Sequence, residues 1–216
     1  MILSVKHNYI YIRTPKTAST TIKAVLTDDL GPDDVVVTSA TSSLGMVQKP
    51  GTTLAGVVMG AHIAAAEIKP LICEDFWNGA FKFTSVRHPY EKAVSLAYYR
   101  FAKREKRIAK RGRQPDWETL EQCLDLIVRR GSCASYRMYT VDDMVVVSDF
   151  IRTETVEADL RRLGALLGFA VPSELPCAKQ GFRRDRRPAR EILSIEQRHR
   201  IYECCRREFD LLGYEP

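Results

Sequence analysis

Short hydrophobic and β-branched runs along the chain alternate with segments of helical spacing. Residues 8–13 read Asn-Tyr-Ile-Tyr-Ile-Arg and residues 80–87 read Ala-Phe-Lys-Phe-Thr-Ser-Val-Arg, and both have strand chemistry. Each run stops just before a proline, which interrupts regular structure. Apolar residues then recur at helical spacing over residues 18–29 and from residue 90 to about 110. The pattern predicts a strand, a tight turn and a helix, twice.

The remaining chain continues this alternation. The predicted elements are a short strand over 35–38, a helix over 63–72, a helix that starts at Asp116, a strand over 144–148, a helix over 155–167 that ends at Gly168, and a last helix from Ser194 to about Leu212. Strands that alternate with helices predict an α/β fold with a mostly parallel central sheet and helices on both faces. We expect a single P-loop-like domain over residues 1–216, because 216 residues with 45% hydrophobic content suffice for one core.

The beginning of the sequence carries no pattern of a signal peptide. Lys6, His7 and Asn8 interrupt its apolar residues, and no apolar run approaches the roughly 20 residues of a membrane span. We therefore expect a cytoplasmic protein without an integral membrane segment.

The net charge of +6 comes from two basic stretches, residues 103–113 and 183–190. They are either solvated faces or surfaces that attract an anionic partner. No zinc-finger, RNP or basic-zipper signature accompanies them, so no nucleic-acid partner is expected.

Six cysteines occur without a CxxC pair. The adjacent residues Cys204 and Cys205 fall in a predicted helix, where neighbouring side chains point away from each other. We therefore expect free, partly buried thiols rather than disulfides or a metal site.

The turn after the first strand is a candidate phosphate site. Residues 13–21 read Arg-Thr-Pro-Lys-Thr-Ala-Ser-Thr-Thr and place Lys16 and several hydroxyl residues at a helix N-terminus. Unpaired N–H groups and a partial positive charge favour an anion there. The alternative is that Thr17 or Ser19 merely caps the helix while Lys16 is solvated. The Walker spacing of glycines is absent, which disfavours ATP hydrolysis.

A second anion site is predicted at the end of the second strand. Arg87 ends that strand, and Ser95 lies two turns into the helix that follows. A guanidinium fork and a hydroxyl donor together suit phosphate oxygens. A surface ion pair at Arg87 is the alternative.

These two segments resemble the sulfotransferases that use 3′-phosphoadenosine 5′-phosphosulfate (PAPS), most closely the family-2 type with its carbohydrate and uronyl 2-O branch and its bacterial members. Pro-Lys-Thr-Ala-Ser-Thr-Thr over residues 15–21 resembles that family's 5′-phosphosulfate loop. Phe-Lys-Phe-Thr-Ser-Val-Arg-His-Pro-Tyr-Glu-Lys-Ala-Val-Ser over residues 81–95 resembles its 3′-phosphate segment. Weaker similarities at residues 149–154 and 209–214 extend the resemblance over nearly the whole chain.

The resemblance implies a role for particular residues. Lys16 would contact the phosphosulfate and stabilise the leaving phosphate, and Arg87 with Ser95 would hold the 3′-phosphate. The main-chain N–H groups implied to cradle the phosphosulfate belong to Thr17, Ala18, Ser19, Thr20 and Thr21. The residues implied to close over the nucleotide near the C-terminus are Lys179, Gly181 and Arg183.

His62 is the candidate general base, because it precedes a predicted helix where the related carbohydrate enzymes carry a histidine. Its alternatives are packing in the core or capping that helix, with Glu67 or Glu91 acting as the base instead. The implied reaction moves a sulfuryl group from PAPS, as co-substrate, to a hydroxyl of a carbohydrate or glycolipid, and it requires no metal.

Two other functions stay open at this point. A small ATP-dependent kinase would need an acidic magnesium ligand at a strand end, for which Asp149 is the candidate. A non-catalytic basic module would bind an anionic glycan or nucleic acid through the two basic stretches.

Overall fold

The computed structural model of the protein describes residues 1–37, 61–111, 118–176 and 181–216. They divide into two compact units, which comprise residues 1–86 with 137–178 and residues 87–136 with 179–216. A division of this kind does not decide the number of domains, so a single P-loop-like domain stays a prediction.

The first unit combines a sheet with helices. Its strands are β1 (Ile2–Ser4), β2 (Tyr9–Ile12), β3 (Val35–Val36), β4 (Phe81–Val86), β5 (Thr140–Val141), β6 (Met144–Val145) and β7 (Asp149–Arg152). Its helices are α1 (Ser19–Thr27), α2 (Ala65–Ile68), α3 (Glu74–Gly79) and α7 (Val156–Leu167), with 3₁₀ turns at Lys69–Leu71 and Thr153–Thr155.

Five of these strands form the central sheet, in the order β3-β1-β2-β4-β7. β2 pairs in parallel with β4, and β4 pairs in parallel with β7. β1 is antiparallel to both of its neighbours, so four of the five strands point in the same direction. The predicted mixed α/β architecture with a mostly parallel sheet is confirmed.

Alternation along the strands divides the sheet into two faces. Tyr9, Tyr11 and Phe83 belong to one buried cluster, together with residues of α1 and α7. Lys82 points the other way from Phe83, and its Nζ lies 5.1 Å from the ring centroid of Trp77 in α3. Helices therefore contact side chains from both faces.

The second unit is helical in its described residues. Its helices are α4 (Pro89–Ala102), α5 (Arg104–Arg111), α6 (Leu120–Arg129), α8 (Ala189–Ile192) and α9 (Ile195–Leu212). Its core is a cluster that joins α4, α6 and α9 through Leu96, Ile127, Ile201 and Phe209. A 3₁₀ turn at Tyr136–Met138 follows along the chain.

The predicted single helix from residue 90 to about 110 is wrong, because Lys103 separates α4 from α5. Lys103 has φ −100° and ψ 7°, outside the helical region, and its N–H reaches the carbonyls of Tyr99 and Arg100. Basic residues then recur at helical neighbour spacing in residues 103–111, and like charges at that spacing disfavour one continuous helix.

The predicted strand over residues 144–148 is confirmed only for its first two residues, and it does not join the central sheet. Only Met144–Val145 is extended, and it forms a two-stranded hairpin with β5 through Asp142 and Asp143, both of which have positive φ. The central sheet takes β7 instead. The Met144 side chain is 71% exposed, so its apolar character does not mark a position in the core.

Helix boundaries follow local caps. The helix expected from Asp116 begins at Leu120, where Thr119 and Gln122 form a capping box, whereas residues 112–117 lie outside the described residues. The last helix is confirmed with its Ser194 capping box. The elements β1, α3 and α8 were not predicted. Among the described residues, no helix is both long enough and apolar enough to cross a membrane.

The expectation that Cys204 and Cys205 point apart is wrong. Their Sγ atoms lie 3.6 Å from each other, because both side chains turn toward Cys133. The cysteines described as free are Cys73, Cys123, Cys133, Cys204 and Cys205.

Candidate functional site

The loop between β2 and α1 has an unusual backbone. Lys16 has φ 64° and Ala18 has φ 54°, and within the described part of the chain they are the only residues other than Gly, Asn and Asp with positive φ. A left-handed conformation at such residues costs about 1–3 kcal/mol and is concentrated at ligand-binding segments. Ala18 also caps α1 without a side-chain acceptor. The loop therefore has the backbone of a binding segment.

A buried hydroxyl network holds this loop against β4. Thr17 Oγ1 lies 2.7 Å from Ser85 Oγ and 2.9 Å from Thr14 Oγ1, and Thr14 Oγ1 also donates to the Ser85 carbonyl. Tyr11 Oη lies 2.8 Å from Ser85 Oγ, and burial raises the pKa of Tyr11, so this phenol stays protonated at neutral pH. The Thr17 hydroxyl thus fixes the loop against β4.

The predicted base lies beside the same loop. His62 is in the turn before α2, and its Nδ1 is 3.0 Å from the carbonyl oxygen of Arg13. A carbonyl oxygen only accepts hydrogen bonds, so Nδ1 carries the proton in this contact and Nε2 carries the lone pair. The contact therefore sets the tautomer that a general base needs.

Arg13 itself was not assigned a role from the sequence. It is 8% exposed, and its Nε has no hydrogen-bond partner among the described residues. Burial lowers its pKa, but a guanidinium remains charged at neutral pH. Its position at the end of β2 adds a buried positive charge to the start of the loop.

The other acid–base candidates have structural partners. His7 contacts Asp29, His88 contacts the Glu215 carbonyl, and His199 lies 3.8 Å from Glu203. Glu67 accepts the Ala64 N–H at 2.8 Å and so caps α2. Of the histidines, only His62 contacts the loop through a described hydrogen bond.

In the second unit, Glu91 connects two residues predicted for the nucleotide. Its Oε2 lies 3.4 Å from Arg87 Nη2 and 2.5 Å from Arg183 Nη1, and its Oε1 accepts the Ala189 N–H at 2.7 Å. Burial would raise the pKa of Glu91, but the Ala189 N–H and the Arg183 guanidinium outweigh it and lower the pKa. Glu91 is therefore an ionised positioning group and a poor general base.

Phe182 and Arg183 pack along the face of α4 that carries Ser95. Phe182 makes an edge-on ring contact with Tyr99 at 5.3 Å, and Arg183 contacts Glu91. Because Glu91, Ser95 and Tyr99 recur every four residues, Ser95 lies between these two contacts. Gly181 has φ 97°, which favours glycine.

Lys179, the third residue predicted in this segment, lies outside the described residues.

Asp149 does not have the environment of a magnesium ligand. Both of its carboxylate oxygens contact Arg162, at 2.5 and 2.9 Å, and Oδ1 also accepts the Phe150 N–H. Burial would raise the pKa of Asp149, but the Arg162 guanidinium and the Phe150 N–H together outweigh it and lower the pKa. This arrangement speaks against the kinase hypothesis.

Comparison with known proteins agrees with the motif reading. A family model described as the sulfotransferase family, of the family-2 type, matches residues 1–215. The chain belongs to the sulfotransferase family. A search of curated proteins finds no match, and a search of solved structures finds none either.

This sulfotransferase therefore carries two clusters of the predicted residues, one in each unit. In the first, the Arg13 carbonyl connects His62 to the loop of Lys16. In the second, Glu91 connects Arg87 to Arg183.

Sequence reasoning assigned no role to Arg13 or Ser85. It considered Glu91 only as a general base and missed its positioning role. The four-residue spacing from Arg87 to Glu91 was the one signal that could have indicated an ion pair.

Proposed function

We propose that this sulfotransferase moves the sulfuryl group of PAPS to a hydroxyl of a carbohydrate or glycolipid. The observation that carries the proposal is the contact of His62 Nδ1 with the Arg13 carbonyl, since it leaves Nε2 as the proton acceptor beside the phosphosulfate loop. In the reaction, the acceptor oxygen forms a bond to sulfur and its proton goes to His62 Nε2. The bond between sulfur and the phosphate oxygen breaks, and its electron pair stays on the phosphate.

Positive charge on the leaving phosphate is the second requirement. Lys16 would supply it, with main-chain N–H groups from Thr17, Ala18, Ser19, Thr20 and Thr21. Fixed donors aimed at developing charge typically contribute more than any other single effect. The positive φ of Lys16 and Ala18 supports this role, because it turns loop N–H groups away from the directions of a regular helix.

The 3′-phosphate would be held by residues of the second unit. Arg87 offers a planar fork and Ser95 a hydroxyl, and Gly181, Arg183 and Lys179 would close on the nucleotide. Glu91 pairs with both arginines and so positions them. The proposal treats PAPS as a co-substrate and assigns no metal a role, and it treats both units as parts of one sulfotransferase domain in the cytoplasm.

The acceptor class follows from the family resemblance and from the basic stretch at residues 103–113, which suits an anionic sugar. Part of the second basic stretch is neutralised internally, since Arg187 pairs with Asp185 and Arg183 with Glu91. Residues 103–113 are therefore the stronger candidate for contact with an acidic acceptor.

The test is a transfer assay with PAPS and a panel of hydroxyl-bearing glycans and glycolipids. We expect 3′-phosphoadenosine 5′-phosphate (PAP) and a sulfated acceptor to form together, with turnover that does not require added Mg²⁺. Transfer of phosphate from ATP with Mg²⁺, or no PAP release with any acceptor, would overturn the proposal.

A further inference from the structure

Three cysteine sulfurs meet in the second unit, and none of the three residues is assigned to sulfuryl transfer. Cys133 lies after α6, and Cys204 and Cys205 are in α9. The Sγ separations are 4.0 Å for Cys133 to Cys204, 3.7 Å for Cys133 to Cys205 and 3.6 Å for Cys204 to Cys205. Cys133 and Cys205 are buried, whereas Cys204 is exposed.

These separations are those of a metal site with three thiolate ligands. An ion bound tetrahedrally at about 2.3 Å from each sulfur holds its sulfurs about 3.8 Å apart. In the present cluster, the point equidistant from the three sulfurs in their plane lies about 2.2 Å from each, slightly inside a Zn–S distance of about 2.3 Å. An ion slightly out of that plane satisfies all three bonds without movement of the backbone.

The segment that carries Cys133 is fixed by main-chain hydrogen bonds. Ser132 N donates to the Ile127 carbonyl and Ala134 N donates to the Gly131 carbonyl, both at 3.0 Å. Gly131, with φ 57°, lies so close to α9 that an added Cβ would be 3.6 Å from Cys204 Cβ. Hydrogen bonds of the protein backbone therefore fix the segment of Cys133, which lies against α9.

The charges around the cluster are also informative. Lys92 and Glu208 are both buried, and Ser135 connects them, since Lys92 Nζ donates to Ser135 Oγ and Ser135 N donates to Glu208 Oε2 at 2.9 Å. Lys92 is close enough to all three cysteines to interact with them electrostatically. A buried ammonium beside the sulfurs offsets part of the negative charge that three thiolates bring to a metal.

We propose that Cys133, Cys204 and Cys205 bind a thiophilic d¹⁰ cation, with Zn²⁺ as the representative ion, and that the fourth position is open to solvent on the side of Cys204. Soft thiolate ligands select Zn²⁺ and Cu⁺ over Mg²⁺ or Ca²⁺. Each thiol loses its proton to solvent as its sulfur bonds to the ion, so binding releases protons.

A bound ion would link α9 to the segment after α6. Because it binds the folded state, it would increase the stability of the second unit. It does not depend on the proposed donor, acceptor or base. The sequence did not indicate it, because Cys133 and Cys204 are 71 residues apart and no CxxC pair exists.

The test is a calorimetric titration of the reduced, metal-free full-length protein with Zn²⁺, with Mg²⁺ as the hard-cation control. We expect one Zn²⁺ per chain and, with Co²⁺ in its place, a thiolate charge-transfer band. Cys204→Ser should weaken Zn²⁺ binding by more than about tenfold, because even outer-shell partners of metal ligands contribute about 10–100-fold. Cys204 is exposed, so this variant should fold, and circular dichroism checks that it does.

Cys123→Ser is the matched control. Cys123 is buried in the same unit, but its Sγ contacts the Ala97 carbonyl and lies outside the cluster. This variant should bind Zn²⁺ like the original protein. The proposal is overturned if the original protein binds no stoichiometric Zn²⁺, or if Cys204→Ser binds it equally well.

Discussion

Nδ1 of His62 lies 3.0 Å from the backbone carbonyl oxygen of Arg13, a residue 49 positions earlier in the chain. This hydrogen bond joins the candidate base to the loop that begins at Arg13. It also fixes the proton on Nδ1 and so leaves Nε2 to accept one.

Replacement of His62 by glutamine should lower kcat by about 10²–10⁴-fold, which is the usual contribution of a positioned general base. Glutamine retains a donor for the Arg13 carbonyl, so binding of PAP should not change. Steady-state kinetics with PAPS and acceptor measure the first effect, and calorimetry measures the second. His199→Gln, at an exposed position of α9, is the control and should keep its activity. Unchanged kcat in His62→Gln would exclude His62 as the base.

Replacement of Lys16 by methionine should lower kcat by about 10²–10³-fold, the cost of removing one fixed donor from a site of developing charge. KM for PAPS should rise far less, because the main-chain N–H groups remain. Lys69→Met removes an exposed lysine of the same unit and should have no effect. A Lys16 variant that lost only affinity would assign this lysine to ground-state binding.

Replacement of Ser85 by alanine should destabilise the protein by about 1–3 kcal/mol, because the buried hydroxyls of Tyr11 and Thr17 lose a partner. Chemical denaturation measures the change in the free energy of unfolding. Ser173→Ala, at an exposed position, should stay within about 0.5 kcal/mol of the original protein. Equal stability of the two variants would show that the network does not hold the loop.

Local signals in the sequence predicted much of the fold. Ser194 with Gln197 predicted the start of α9, Gly168 predicted the end of α7, and the apolar run at residues 80–87 predicted β4. Caps, left-handed glycines and strand composition act within a few residues, so they can be read without the tertiary structure.

The features that sequence alone did not predict depend on contacts between distant residues. The choice of residues 149–152 over 144–148 for the sheet depends on pairing with β4. The contact of Glu91 with Arg183 joins residues 92 positions apart. The cysteine cluster needs the turn after α6 to meet α9. Periodicity carries no information on such pairings.

The carboxylate of Glu91 should make stability depend on pH. Its pKa is lowered in the folded protein from an ordinary value of 4.5, so its contribution is present above pH 4.5 and is lost as the pH falls through the lowered value. Glu91→Gln should therefore be less stable than the original protein at neutral pH, with a difference that shrinks below pH 4.5. Chemical denaturation of both proteins, at neutral pH and below pH 4.5, measures the difference in their free energies of unfolding. A difference independent of pH would show that the ionised form is not favoured.

The donor site is tested by calorimetric titration of PAP into the original protein, Arg87→Ala and Arg200→Ala, with ATP and Mg²⁺ as competitor. Arg200 is the matched control, because it makes an ion pair of the same i,i+4 kind with Glu196. We predict micromolar binding of PAP that Arg87→Ala abolishes, that Arg200→Ala preserves, and that ATP does not displace. No binding of PAP, or tighter binding of ATP with Mg²⁺, would show that PAPS is not the donor.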